Sequence, residues 1–379
     1  MSGTKIAAEE LRSFSKQIFK AAGVNSEDAD LATDVLIWAS LRGVDTHGIR
    51  NLKRYYIDTA GGVGRRDGVI RFDAELTTEL ESPTTAALNA NGGLGLSVSV
   101  RAMNMAIEKA HETGVGVVTV RNSTHFGPAG YFAHMAVPHD MLGFASTGYL
   151  FPHGQPKSVV PYGGLLPMLS TNPLAMACPA ASGPAFVLDM STSVAPVNRV
   201  EMLEELGRAI PAGWSLDANH QTTDKPDAVR KMEPLGGATQ YGGHKGFGLA
   251  VAGWILTGLL SGAWRTNPDS NRVLGDVTDT KHGFAQEGIG HSFAAIRLDR
   301  FGDPAMIRQG LDAMTMAFNG SPAAPGFDRV VIPGQLEAET EVERSQNGIP
   351  LSGSTLTDLR SLSEEFGIPL NLIAGDLQA

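Results

Sequence analysis

Two histidines stand in surroundings suited to proton transfer. His47 lies in Asp45-Thr46-His47-Gly48, and His125 lies in Ser123-Thr124-His125-Phe126-Gly127. An imidazole titrates near pH ~6.5, so a histidine beside glycine in a loop leaving a strand can serve as general acid or base near neutrality. The plainer alternative is a turn histidine making a local hydrogen bond. In Tyr241-Gly242-Gly243-His244-Lys245-Gly246-Phe247-Gly248, a cation sits among glycines at a helix start. Free N–H groups and a lysine there suit an anion such as pyrophosphate; a turn with a surface lysine is the alternative. Asp189 closes a strand ahead of Met190 and Ser191, where it either accepts from ribose hydroxyls or caps a helix.

Other chemistries are disfavoured. The single cysteine, Cys178, excludes an intrachain disulfide and a cysteine-built zinc cluster. His134 and His139 are five apart and do not share a helix face, and no metal site is expected. No GxGxxG follows a strand; Gly93-Leu94-Gly95 lacks the third glycine. P-loop, HExxH and GxSxG motifs are absent too, which argues against an ordinary Rossmann dehydrogenase. A hydrolase using Ser123 or Ser170 with His125 lacks the strand–turn–helix elbow such chemistry needs.

The elements that must position these residues read as alternating strands and helices, an α/β architecture. Leu11, Phe14, Ile18 and Phe19 recur at helical spacing until Gly23, and Asn25 or Ser26 caps a second helix reaching about Arg42. Helices are expected at 97–113, 305–317 and 355–366, and strands at 114–120, 142–146, 174–178, 185–190 and 292–298. Gly148–Gly164, Lys225–Gly243 and Ser321–Gly334 read as loops. With 379 residues, 42% hydrophobic and 18% charged, the composition is that of a globular protein. The net charge of −10 disfavours nucleic acid as a partner. The uncharged run Gly246–Trp264 contains five glycines and reads as a buried helix, not a membrane span. With no targeting segment at the N-terminus, a cytoplasmic protein is expected.

Seven segments in order resemble one family, the type-2 malate/L-lactate dehydrogenases and their ureidoglycolate, sulfolactate and diketogulonate relatives. They are RGVDTHGI (42–49), THFGPAGYFA (124–133), STNPLAMACP (170–179), LDMSTS (188–193), IPAGWSLDANHQTTDKPDAV (210–229), GGHKGFGLA (242–250) and APGFDRVVIPGQ (324–335). The resemblance implies a non-Rossmann α/β fold: a mixed-sheet cofactor domain inserted in a second α/β domain, with N-terminal helices. The units expected are an N-terminal helical region (1–75), a substrate and dimerisation domain (76–122 plus 291–379) and an NAD(P)-binding domain (123–290). It implies a homodimer that transfers hydride between NAD or NADP and C2 of a small 2-hydroxy or 2-oxo acid. In the same way it assigns proton transfer to His125 and contact with the reacting oxygen or carboxylate to His47. Substrate contacts would come from Thr46, Arg50, Asn51 and Tyr55. Cofactor contacts would come from Tyr149, Thr171, Asn172, Asp189, Met190, Ser191, His244, Lys245, Gly334 and Gln335.

Three departures fall mainly at the substrate end. Where most relatives carry an arginine four residues after the motif histidine, this chain has Asn51, with Arg50 directly before it and Arg54 three residues on. The segment Gly148–Ser158 is longer than expected, adding His153 and Lys157 to a loop, with Tyr149 where a small polar residue is usual. A Gly-Lys pair after the Asp189 strand is replaced by Asn198-Arg199. The expectation is a dehydrogenase with an atypical substrate; a cyclic imino-acid reductase and a redox-inactive dinucleotide-binding homologue are the alternatives.

Overall fold

A computed structural model describes residues 4–60, 70–151, 155–264 and 289–370. In chain order, β1 (Lys5–Ile6), α1 (Ala8–Ala21) and α2 (Ser26–Leu41) precede a π-helical turn, Leu52–Ile57. Then follow β2 (Thr77–Glu81), β3 (Thr85–Asn89), α3 (Gly95–Thr113), β4 (Val115–Ser123), α4 (Ala129–His134), β5 (Met141–Gly148), β6 (Leu174–Cys178) and β7 (Phe186–Met190). The remainder is α5 (Val197–Glu205), β8 (Ser215–Leu216), β9 (Lys231–Met232), α6 (Gly243–Trp254), β10 (Ile289–Arg297), α7 (Pro304–Asn319), α8 (Gln335–Asn347), β11 (Ile349–Pro350) and α9 (Gly353–Phe366).

The apolar face expected on α1 is the one that packs: Leu11, Phe14, Ile18 and Phe19 are all buried. Asn25 caps α2 by accepting the Asp28 N–H at 2.9 Å. α2 also buries Val35 and Ile37 beside the expected Ala29, Ala32, Leu36 and Ala39, so it is wedged into the core on more than one side.

Seven strands form one mixed sheet in the order β2-β3-β4-β10-β5-β6-β7. Only β3 and β4 run parallel, joined by the α3 crossover, and every other neighbouring pair is antiparallel. The β10–β5 pairing runs unbroken across 290/291, where the expected units meet, whereas β4–β10 carries a bulge between Ile289 and His291 at that point. A second, smaller core gathers Val159, Leu169, Val200, Ile210, Val229 and Met232 beneath α5 and α6. The antiparallel order has a functional consequence. The C-terminal ends of β4, β5 and β7 and the N-terminal ends of β6 and β10 all open at one edge of the sheet.

Several elements differ from the sequence reading, which contained neither of the strands β2 and β3 at one edge of the sheet. α5 and α8 are helices that it did not contain; α8 is polar, with no fully buried residue, so it carries little apolar periodicity. The run Gly246–Trp264 is not a buried helix throughout. Its last part relaxes to a π-helical turn at Ile255–Leu259, and Leu249, Ile255, Leu259 and Leu260 are exposed in the single chain. No helix among the described residues is long and apolar enough to cross a membrane.

Candidate active site

His125 follows the end of β4 directly, and His47 follows α2 through the left-handed Gly43. The fold brings the two imidazoles face to face, with ring centres 5.7 Å apart and planes 15° from parallel. His125 is held from below by close packing. The Thr124 hydroxyl accepts from Gly95 N–H at 2.8 Å and donates to the Gly93 carbonyl at 3.0 Å. A Cβ on Gly95 would lie 2.3 Å from the Thr124 carbonyl, so this glycine serves close approach of α3 to the histidine loop.

The π-helical turn gives two consecutive tyrosines access to the same ring. Tyr55 lies 4.7 Å and Tyr56 6.0 Å from the His125 ring centre. The Tyr56 hydroxyl and the Gly127 N–H both reach His125 Nδ1, at 2.9 and 3.2 Å. An amide can only donate, so in the neutral ring Nδ1 accepts and the proton is assigned to Nε2. When the ring gains a second proton, Nδ1–H can turn to the Tyr56 oxygen, which is able to accept. Burial keeps the Tyr56 phenol protonated by raising its pKa well above the ordinary range.

Desolvation holds both histidines neutral. It lowers His47 to about 4. Desolvation, then the charges His47 and His291 would carry, lowers His125 to about 3. Both rings keep some contact with solvent, which moderates these depressions. His47 Nδ1 is matched by the Thr46 hydroxyl at 2.9 Å. The Thr46 carbonyl accepts from Asn51 Nδ2 at 3.0 Å and from Asn198 Nδ2 at 2.8 Å. Asn198 also accepts the Tyr55 hydroxyl at 3.0 Å, so one side chain on α5 fixes both sides of the histidine pair.

His47 lines a cleft of about 560 Å³ together with Gly127, Thr171, Asp189, Ser191 and Gly334. Asp189 accepts the Gly130 N–H at 2.8 Å. Desolvation raises its carboxyl to about 6, with the nearby Glu337 charge adding to the rise; the side chain opens to the cleft, and water there limits the effect. Gly334 has φ +92°, and a Cβ there would lie 2.7 Å from Val187 N, so the cleft wall needs glycine. Its carbonyl accepts from Arg42, which also pairs with Glu341 and lies over the Trp38 ring. Gln335, next in the chain, has a buried Oε1 with no hydrogen-bond partner.

The remaining residues expected at the site divide. Met190 lines the cleft beside Asp189. Asn172 is buried, with φ +35°; it braces the cleft floor by donating to the Ala250 carbonyl and accepting from Tyr149 N–H. Tyr149 packs edge-on against Phe151. His244 and Lys245 are exposed in the first turn of α6 and are not among the cleft residues. Arg50 is buried and directed elsewhere, its fork on Glu205 at 2.9 and 2.6 Å. Arg54 bonds Asp358 at 3.1 Å. His153 lies outside the described residues. Neither Ser123 nor Ser170 bonds His125: Ser123 Oγ is buried without a partner, and Ser170 Oγ bonds Asn172. No group of three metal-ligating side chains occurs among the described residues. The sequence reading missed Tyr56 and did not include Asn198 or Arg199 in the site.

The chain is similar to known proteins over nearly its whole length. Residues 6–360 match the malate/L-lactate dehydrogenase family. A malate dehydrogenase of Pyrococcus abyssi is 35% identical, over 96% of this chain and 95% of that protein. An L-sulfolactate dehydrogenase of Methanothermobacter thermautotrophicus is 33% identical, over 97% and 99%. The crystal structure of malate dehydrogenase from Entamoeba histolytica superposes with a TM-score of 0.85 at 29% identity, covering 97% of this chain and 99% of that one. Sequence and fold together place the chain in the malate/L-lactate dehydrogenase family.

Proposed function

We propose that this chain transfers hydride between a nicotinamide dinucleotide and C2 of a small 2-hydroxy or 2-oxo acid. The observation that carries the reading is the stacked His47–His125 pair beside a cleft lined by Asp189, Met190 and Ser191. The residues present fit a dinucleotide: the Asp189 carboxylate, an acceptor, faces the cleft, Gly334 forms part of its wall, and next to Gly334 the Gln335 side-chain oxygen lacks a donor. When bound, the nicotinamide would supply the hydride donor or acceptor.

His125 moves the proton. In oxidation its Nε2 takes the hydroxyl proton, and in reduction it returns one to the carbonyl oxygen. Tyr56 holds Nδ1 in either charge state by exchanging donor and acceptor roles. His47, with Nδ1 on Thr46, offers its other nitrogen to the substrate oxygen. An arriving carboxylate places negative charge near both rings and raises their pKa values toward working pH. Asp189 accepts from ribose hydroxyls. We also propose that the chain works as a homodimer, supported by the exposed apolar stripe Leu249, Ile255, Leu259 and Leu260.

The test follows loss of NADH or NADPH absorbance with a panel of 2-oxo acids and a cyclic imine. Turnover of a 2-oxo acid is expected. Dinucleotide binding with no turnover of any compound would instead favour a redox-inactive homologue.

A further inference from the structure

An anionic substrate needs a cation, and the arginines in or bonded to the His47 segment are already engaged. Arg50 grips Glu205 with two nitrogens and touches Ser354. Arg54 pairs with Asp358, Arg42 with Glu341, and Arg344 with Asp45. Asn51, buried, uses its amide on the Thr46 carbonyl. Among the described residues, Arg42, His47 and Arg199 are the basic residues lining the cleft. Of the two arginines, only Arg199 makes no side-chain hydrogen bond or ion pair with another described residue, and it is exposed to the cleft.

Helix geometry explains why Arg199 escapes. At about 100° per residue, Asn198, Glu201 and Glu205 share one face of α5. That face meets Tyr55, Arg50 and Arg54. Arg199 and Met202 turn to the adjoining face, which borders the cleft. Asn198 ties the start of α5 to Thr46, the neighbour of His47, and so fixes the helix from which the guanidinium projects.

We propose that Arg199 binds the substrate carboxylate, in place of the arginine that would otherwise follow His47. This rests on the oxidoreductase reading above. A planar guanidinium matches a carboxylate with two parallel N–H bonds, which lysine cannot reproduce. The site would select small 2-oxo or 2-hydroxy acids over their neutral esters.

The experiment compares wild type, Arg199→Gln and Arg199→Lys in three measurements. They are dinucleotide affinity by fluorescence, KM and kcat for a turned-over 2-oxo acid and its methyl ester, and oxalate binding to the cofactor-loaded enzyme by calorimetry. Loss of a charge-assisted pair predicts a KM for the acid, and a Kd for oxalate, raised about 10- to 100-fold in Arg199→Gln. Ester KM and dinucleotide affinity should stay within about twofold, and Arg199→Lys should fall between. Unchanged acid KM and oxalate affinity would overturn the assignment. So would a fall in dinucleotide affinity with the acid-over-ester preference retained, which would make Arg199 a cofactor-phosphate contact. If no compound is turned over, the oxidoreductase reading fails, and oxalate calorimetry still decides the anion site. Oxalate binding lost in Arg199→Gln supports the site; binding that is absent from wild type, or equal in both proteins, refutes it.

Discussion

Replacing Asn198 by alanine tests whether the two sides of the histidine pair are held by one side chain. The amide is 7% exposed, donates to Thr46 at 2.8 Å and accepts from Tyr55 at 3.0 Å. A neutral intramolecular hydrogen bond contributes about 0.5–1.5 kcal/mol net. The Thr46 carbonyl keeps its bond from Asn51 at 3.0 Å, so its loss falls at the low end. The Tyr55 hydroxyl loses its partner beside the His125 ring. Together these give about 1–2.5 kcal/mol. If most of it is expressed in orientation at the transition state, kcat/KM falls roughly 5- to 70-fold. The assay pairs steady-state reduction of the best 2-oxo acid with thermal unfolding. Asn198→Asp separates the two bonds: it keeps the acceptor for Tyr55 but sets a carboxylate against the Thr46 carbonyl, so it should do no better than alanine. Asn198→Ala with kcat/KM within twofold of wild type would refute the reasoning.

Arg50→Ala should lower stability by about 1–3 kcal/mol in urea unfolding, because Glu205 loses a two-point partner. Arg50→Ala/Glu205→Ala should recover part of that loss, and full additivity would deny the coupling. Gly334→Ala forces a side chain against Val187 N at 2.7 Å with φ +92°, so a loss of about 1–3 kcal/mol and weaker dinucleotide binding are expected; wild-type affinity by calorimetry would contradict the close approach. Stability should fall on acidification. His47, His125 and His291 are depressed to about 4, 3 and 3 from 6.5, so between pH 6.5 and 4 the unfolded chain takes up three protons that the folded chain refuses. Asp189, raised to about 6 from 3.8, opposes this with one proton held by the folded chain between those values. Three against one leaves net uptake on unfolding, and a melting temperature that is flat or rises from pH 7 to 5 would be inconsistent with it.

The legibility of the chain follows physical lines. Strands such as Leu174–Cys178 were readable because a buried strand forces short apolar runs between turns. His47 and His125 were marked by small polar neighbours, and their face-to-face stacking needed the β4 end and the α2 end to meet in space. α8 was invisible to periodicity because its contacts are ion pairs, Arg344 to Asp45 and Glu341 to Arg42. Tyr56 carries no motif signal in the sequence, and it is fully buried; only geometry shows its hydroxyl on His125. The engagement of Arg50 depends on Glu205, 155 positions away. A local reading could place Arg50 near the site without seeing that its charge is taken.

The central claim is that the His125 imidazole carries the proton that accompanies hydride transfer. The direct measurement is single-turnover reduction of the best 2-oxo acid by His125→Ala and wild type, with protium and deuterium at the transferred position of the cofactor. The account predicts a chemical step slowed by about 10²–10⁴-fold, dinucleotide affinity nearly unchanged and a deuterium effect fully expressed in the variant. A chemical step within about threefold of wild type would contradict it.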